Sequence, residues 1–176
     1  MKASRLTSVI VCLVGTLATS SAWSGCRDAL TTAHRVGAGE FCVLGFCLYK
    51  AELWSPHTPV SADTPFALVL KYERSVSGER MVSTGIDEMQ RLAPRPIAND
   101  TLNAWREDMQ RAFGDVSRGD ELCGVYLPGR GARFYTNGAL TADVPDMAFA
   151  RAFFGIWLDP NTRAPSLRRH LLGESP

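Results

Sequence analysis

The sequence predicts an α+β domain, a mainly antiparallel sheet packed against a layer of helices. Three observations carry that expectation. Strand-like apolar stretches fall into two blocks, Phe41 to Arg74 and Leu122 to Val144. Stretches with apolar residues spaced three and four apart lie between the blocks and again after the second. Asn137-Gly138 joins two strand-like runs, and that dipeptide supplies the positive φ angles of a tight hairpin turn. Strands joined by hairpins, with helices held apart from them, define the α+β class. With 176 residues, 45% of them hydrophobic, the chain can build one proper core and has little left for a second.

The elements follow in order. Lys2 and Arg5 form a short basic start, Leu6 to Ala18 is apolar or small throughout, and Ser20-Ser21-Ala22-Trp23-Ser24 offers small residues to a signal peptidase. This is the order of a secretory signal peptide, expected over residues 1–24 with the mature domain at 25–176. The apolar run is shorter than the roughly 20 residues needed to span a bilayer, so no transmembrane span is expected in the mature chain. The expected location is periplasmic or secreted. Lipid attachment at Cys26 is a minor alternative, because Trp23 occupies a position where a lipobox needs a small or branched aliphatic residue. Without Lys2 and Arg5 the 19 basic residues become 17 against 18 acidic, a formal −1. No basic stripe with interleaved aromatics appears, and nucleic acid is not an expected partner.

FCVLGFCLYKAELW at 41–54 reads as one strand, buried on both faces at first and half-exposed toward its end. Ser55 to Pro65, with three prolines, is a loop, and Phe66 to Arg74 a second strand with Leu68, Leu70 and Tyr72 on one face. Glu79 to Leu92 is helical despite Gly85, which costs about 1 kcal/mol relative to alanine. Asn99-Asp100 offers caps for a helix that repeats Leu102, Trp105, Met109 and Phe113 on one side. Leu122 to Leu127, Ala132 to Thr136 and Leu140 to Val144 complete the strands. Asp146 can cap a mostly buried helix bearing Phe149, Phe153, Ile156 and Trp157; Pro165 and Gly173 bracket the last helix.

Four cysteines remain in the mature chain, Cys26, Cys42, Cys47 and Cys123, which permits two disulfides in three connectivities. Within a single strand, Cys42 and Cys47 would point to opposite faces and make poor partners. Buried free thiols are the simpler alternative. His34, His57 and His170 sit in no cluster with the cysteines, and the sequence offers no metal site, no phosphate-cradling glycine loop and no nucleophile–base triad. No cofactor is expected.

Four strings point further: LYKAELW at 48–54, LKYERSVSGERM at 70–81, RGDELCGVYLPGRGARFYTNG at 118–138 and FARAFFGIWLDPNTRAPSLRRHLLG at 149–173. Together they resemble the chalcone isomerase superfamily, particularly its exported bacterial chalcone-isomerase-like members. The resemblance implies a sheet packed on helices with a ligand cleft between them. In the plant enzymes an arginine holds the chalcone phenolate, a threonine and a tyrosine position a water, and an asparagine and a Ser/Thr line the far end. Matching the strings places Tyr49 at the threonine, Met81 at the tyrosine, Glu88 at the asparagine and Ile156 at the Ser/Thr. Arg35 is the nearest arginine, close to Gly37.

These residues are the ligand-binding candidates; no catalytic residue is assigned. Methionine has no hydroxyl to order a water, isoleucine cannot bond a phenol, and an ionised glutamate would repel a phenolate. Tyr49 is either a cleft-lining donor or a core tyrosine bonded to backbone, and Arg35 either an anion clamp or a solvated loop residue. Glu88 reads most simply as an exposed helix residue, Arg74 as part of a surface ion pair, and Trp105, Phe153 and Trp157 as core. Non-catalytic relatives in the superfamily bind fatty acids. The expected function is therefore binding of a small apolar or amphipathic molecule, fatty-acid-like, without chalcone isomerase activity. An isomerase or intramolecular lyase acting through Tyr49 and Arg35 is the alternative, and an envelope interaction module a third.

Overall fold

A computed structural model describes residues 25–174, so the expected signal peptide lies outside the described residues. Six strands run in chain order, each antiparallel to the next. They are β1 (His34–Val43), β2 (Phe46–Ser55), β3 (Phe66–Tyr72), β4 (Glu121–Leu127), β5 (Gly131–Thr136) and β6 (Ala139–Val144). Two helices, α1 (Gly78–Leu92) and α2 (Asn99–Ala112), are inserted between β3 and β4, and α3 (Met147–Leu158) and α4 (Pro165–Leu171) follow β6. The α+β class and the antiparallel sheet stand as expected.

The first strand does not. The run at 41–54 is split by Leu44 and Gly45, whose φ angles of 50° and 81° make a two-residue turn. Leucine rarely adopts positive φ, and the unbroken apolar run conceals the turn. The split also overturns the argument against pairing Cys42 with Cys47. Face parity separates them only within one strand; across the hairpin they are register partners, and a disulfide joins them.

Alternate residues of the central strands face the helices in register. Tyr49 lies beside Tyr72, Ala51 beside Leu70, Leu70 beside Leu122, and Gly124 beside Phe134. Above them pack the aromatic residues of α3, with Phe153 edge-on to Phe134 at 5.0 Å between ring centres. The opposite face carries a smaller cluster of Ala67, Val69, Cys123 and Val125, covered by Cys26 and Leu30 from a short 3-10 turn, Cys26–Ala29. A second disulfide, Cys26 to Cys123, staples that turn to β4. It engages the sulfur that a lipid anchor at Cys26 would need.

The helix ends divide between local and non-local control. Ser77 caps α1, its hydroxyl accepting from the Arg80 N–H at 3.3 Å. The expected caps of α2 are displaced by one position: Ala98 precedes the helix without a side-chain bond, and Asn99 and Asp100 lie in its first turn. Asp146 caps α3 as expected, one carboxylate oxygen accepting from Ala148 and Phe149. Its other oxygen accepts from the Trp105 indole at 2.9 Å, tying α2 to α3. Helix α4 lies on β1 so closely that a Cβ at Gly37 would collide with the His170 carbonyl oxygen.

The Cys26–Cys123 bond spans 97 residues. Closing so long a loop constrains the unfolded chain, so replacing both cysteines with alanine should lower stability by about 2–5 kcal/mol. Urea unfolding of the double variant against oxidised wild type measures that loss; equal midpoints for the two would contradict it.

Candidate functional site

The helical layer does not cover the whole apolar face of the sheet. Between α1, α3 and strands β2–β5 lies a cavity of about 340 Å³. Its floor is Leu68, Leu70, Leu122 and Phe134, with Phe153 and Phe154 of α3 on one side. Arg80, Thr84 and Glu88 follow at helical spacing along α1, and Thr162, Arg163 and Ala164 come from the loop after α3. Arg80, Thr84 and Arg163 are exposed and mark the opening. Gly85 has a packing reason for its place in α1: a Cβ there would press on the Met109 methyl at 2.5 Å.

Two buried tyrosines form the wall nearest β2. Tyr49 stacks on Phe41 at 5.3 Å and meets Tyr72 edge-on at 5.6 Å. The Tyr49 hydroxyl oxygen accepts from the Trp157 indole N–H at 3.0 Å, and its own proton has no acceptor among the described hydrogen bonds. The Tyr72 hydroxyl donates to the Met81 sulfur at 3.2 Å. Burial pushes the Tyr72 phenol up to about 12. Burial raises Tyr49 further, with the Trp157 bond opposing it in part. Both are neutral donors at physiological pH.

Glu88 is buried, not exposed as its helix position suggested. One carboxylate oxygen accepts from Arg91 Nε and Nη2 at 3.0 and 2.8 Å, and the other pairs with Arg163 Nε at 2.8 Å. Arg91 also donates to the Asn161 carbonyl oxygen at 3.2 and 3.1 Å. The end of α1 thereby holds the loop between α3 and α4. Thr162 tightens that loop, its hydroxyl donating to the Ile156 carbonyl oxygen at 2.6 Å.

The structure therefore brings Tyr49, Met81, Glu88 and Ile156 to one cavity. Arg35 is not among them. It lies on the sheet's outer face, paired with Glu52 at 3.3 Å, because Glu52 has the strand parity opposite to Tyr49 and Ala51. Arg74 makes no ion pair among the described residues; its guanidinium lies over the Phe46 ring at 4.8 Å. Trp105 and Phe153 are core, whereas Trp157 is half-buried and lines the cavity. Sequence reasoning missed Arg91 and Arg163. Arg91 lies three residues after Glu88, a spacing that favours pairing, but Arg163 carries no local signal. Among the described residues, Glu40, Cys42 and Cys47 stand close enough to share an ion, yet both sulfurs are spent in a disulfide and offer no thiolate.

An antiparallel sheet with a helical layer and an apolar, polar-rimmed cavity between them defines a cleft-bearing α+β protein. The family described as chalcone isomerase-like matches residues 43–173. An uncharacterized protein of Haemophilus influenzae is 32% identical over 141 residues, covering 80% of this chain and 68% of that protein. Among solved structures, an Arabidopsis thaliana fatty-acid binding protein superposes with a TM-score of 0.64. That match has 10% sequence identity and covers 81% of this chain and 87% of the other. This protein belongs to the chalcone isomerase-like family.

The tyrosines give a pH signature. Each holds its proton more tightly in the folded state than in the unfolded chain, where ionisation occurs near pH 10. Their stabilisation is full below that pH and falls as pH rises, toward about 12 for Tyr72. An ultraviolet tyrosinate titration should show a late phase that disappears when Tyr49 and Tyr72 are both changed to phenylalanine. A late phase of unchanged amplitude in that variant would contradict the assignment.

Proposed function

We propose that this protein binds one small apolar or amphipathic molecule, of fatty-acid type, in the cavity between sheet and helices, and does not cyclise chalcones. The carrying observation is the cavity itself: apolar inside, polar at its rim, and near the lower end of the roughly 300–1,000 Å³ range of small-ligand clefts. The described fatty-acid binding function of the Arabidopsis neighbour supports the class of ligand.

Desolvation decides the orientation. A carboxylate placed deep among Leu70, Leu122 and Phe134 would lose its hydration with only neutral tyrosine donors nearby. At the rim it meets Arg80, which is exposed and in no ion pair among the described residues, and the Thr84 hydroxyl. The acyl tail then points inward, past Tyr49 and Met81. Chalcone cyclisation makes a different demand, a phenolate aimed at the enone and donors where the enolate develops. Met81 accepts from Tyr72, Glu88 is held by two arginines, and Arg35 faces away. The alternative of a lyase working through Tyr49 and Arg35 is disfavoured because the two do not share a cavity.

Export belongs to the same proposal. The basic start, the apolar stretch and the small residues at 20–24 support signal-peptide removal, and two disulfides suit an oxidising compartment. N-terminal sequencing of protein recovered from a periplasmic extract tests it; a retained Met1 would count against it.

Binding is tested by displacement of a fluorescent fatty-acid analogue and by mass spectrometry of gently purified protein. A co-purifying lipid is expected, with a Met81→Trp substitution that fills the cavity weakening binding at least about tenfold, while overpacking costs about 1–3 kcal/mol of stability. A wild-type protein that binds nothing, or a Met81→Trp variant that binds equally well, would sink the reading.

A further inference from the structure

The tip of the β1–β2 hairpin is apolar where a soluble protein would ordinarily place polar residues. Val43, Leu44 and Phe46 are 52%, 92% and 61% exposed. Among the described residues one other large apolar side chain is exposed, Leu140 at 56%, which stands on β6 at the far edge of the sheet. The tip is also held in shape. The Cys42–Cys47 disulfide closes its base, and Leu44 and Gly45, both at positive φ, turn the chain between the two cysteines. The three side chains therefore project from a fixed platform.

We infer that this hairpin tip is a lipid-bilayer contact. Three features favour a bilayer over a folded partner. The first is size: the three side chains expose on the order of 400 Å², about half of the roughly 800 Å² that each partner buries in a stable protein interface. The second is shape, since a two-residue turn is a narrow convex apex that enters the acyl boundary more readily than it matches a protein surface. The third is charge. Arg74, in no ion pair among the described residues, lies over the Phe46 ring at 4.8 Å. A cation at the base of an apolar tip is placed for anionic headgroups as the tip sinks between them.

The tip adjoins the wall of the cavity that Tyr49 and Phe41 form. Phe41 and Leu48, half-buried, flank the disulfide on β1 and β2 and line the cavity. The membrane contact itself does not depend on what the cavity holds, and its test reads vesicle binding alone.

The experiment uses the chain from Gly25 onward, which holds all the described strands and helices, so that Leu6 to Ala18 contributes no apolar surface of its own. Flotation with vesicles of phosphatidylethanolamine and phosphatidylglycerol should carry wild-type protein to the vesicle fraction. The L44N/F46S double variant should lose at least about tenfold in partition while keeping its thermal midpoint, since both side chains are exposed and asparagine tolerates positive φ. Leu140→Asn, which removes a comparable exposed side chain away from the tip, should float like wild type. The inference fails if wild type does not float, if the double variant floats equally, or if Leu140→Asn loses as much. It also fails if the tip substitutions only turn a dimer into a monomer, which would assign the tip to a second copy of the chain.

Discussion

Strand β3 is buried on both faces, and the rest of the architecture answers to that constraint. Phe66, Leu68, Leu70 and Tyr72 face one way, and Ala67 and Val69 face the other. Each face needs a cover. The helical layer supplies one, with α3 contributing Phe149, Phe153 and Phe154. The other comes from the short N-terminal turn, which is too small to hold its place by area alone. Cys26 and Leu30 are its buried side chains, and the bond to Cys123 on the neighbouring strand keeps them there. Large apolar area on one side and a covalent staple on the other thus serve the same end.

The cavity exists because the larger cover is incomplete. Gly124 leaves room for the Phe154 ring, which a Cβ would approach to 3.0 Å, and Gly85 leaves room for Met109. The lining side chains Leu68, Leu70, Leu122 and Phe134 lack packing partners on their cavity side unless something fills the space. Contents therefore matter to the fold as well as to function. The rim is braced accordingly. Glu88, Arg91 and Arg163 join α1 to the loop after α3, a buried carboxylate whose two oxygens each meet a guanidinium.

What the sequence showed, and what it hid, divides by the range of the interaction. Asp146 and Asn137-Gly138 were legible because a cap and a tight turn are set by a few adjacent residues. The Leu44-Gly45 turn was hidden, since its first residue seldom takes positive φ and its flanks are apolar on both sides. The two disulfides followed only once that turn divided the strand. The resemblance to the chalcone isomerase family delivered Tyr49, Met81, Glu88 and Ile156 to one cavity, but Arg35 was misplaced. Its pairing with Glu52 depends on which face of β1 it occupies, and an irregularity in register after Arg35 disguises that parity. The burial of Glu88 was illegible for a related reason: Arg163 approaches from another part of the chain.

Which donors around the cavity are free is set by the bonding among its own polar groups. Catalysis by electrostatic stabilisation needs donors left free for charge that develops in the reaction. Here Tyr72 gives its proton to Met81, and the side chains of Arg91 and Arg163 are engaged by Glu88. Those groups satisfy one another and have little to offer a developing enolate. Tyr49 differs, because it accepts from Trp157 and keeps its own proton available. One free neutral donor in an apolar space can orient a ligand oxygen without driving a reaction. The engaged groups are Tyr72, Glu88, Arg91 and Arg163, whose bonds join different elements of the fold, while Tyr49 and Arg80 keep donors free toward the cavity.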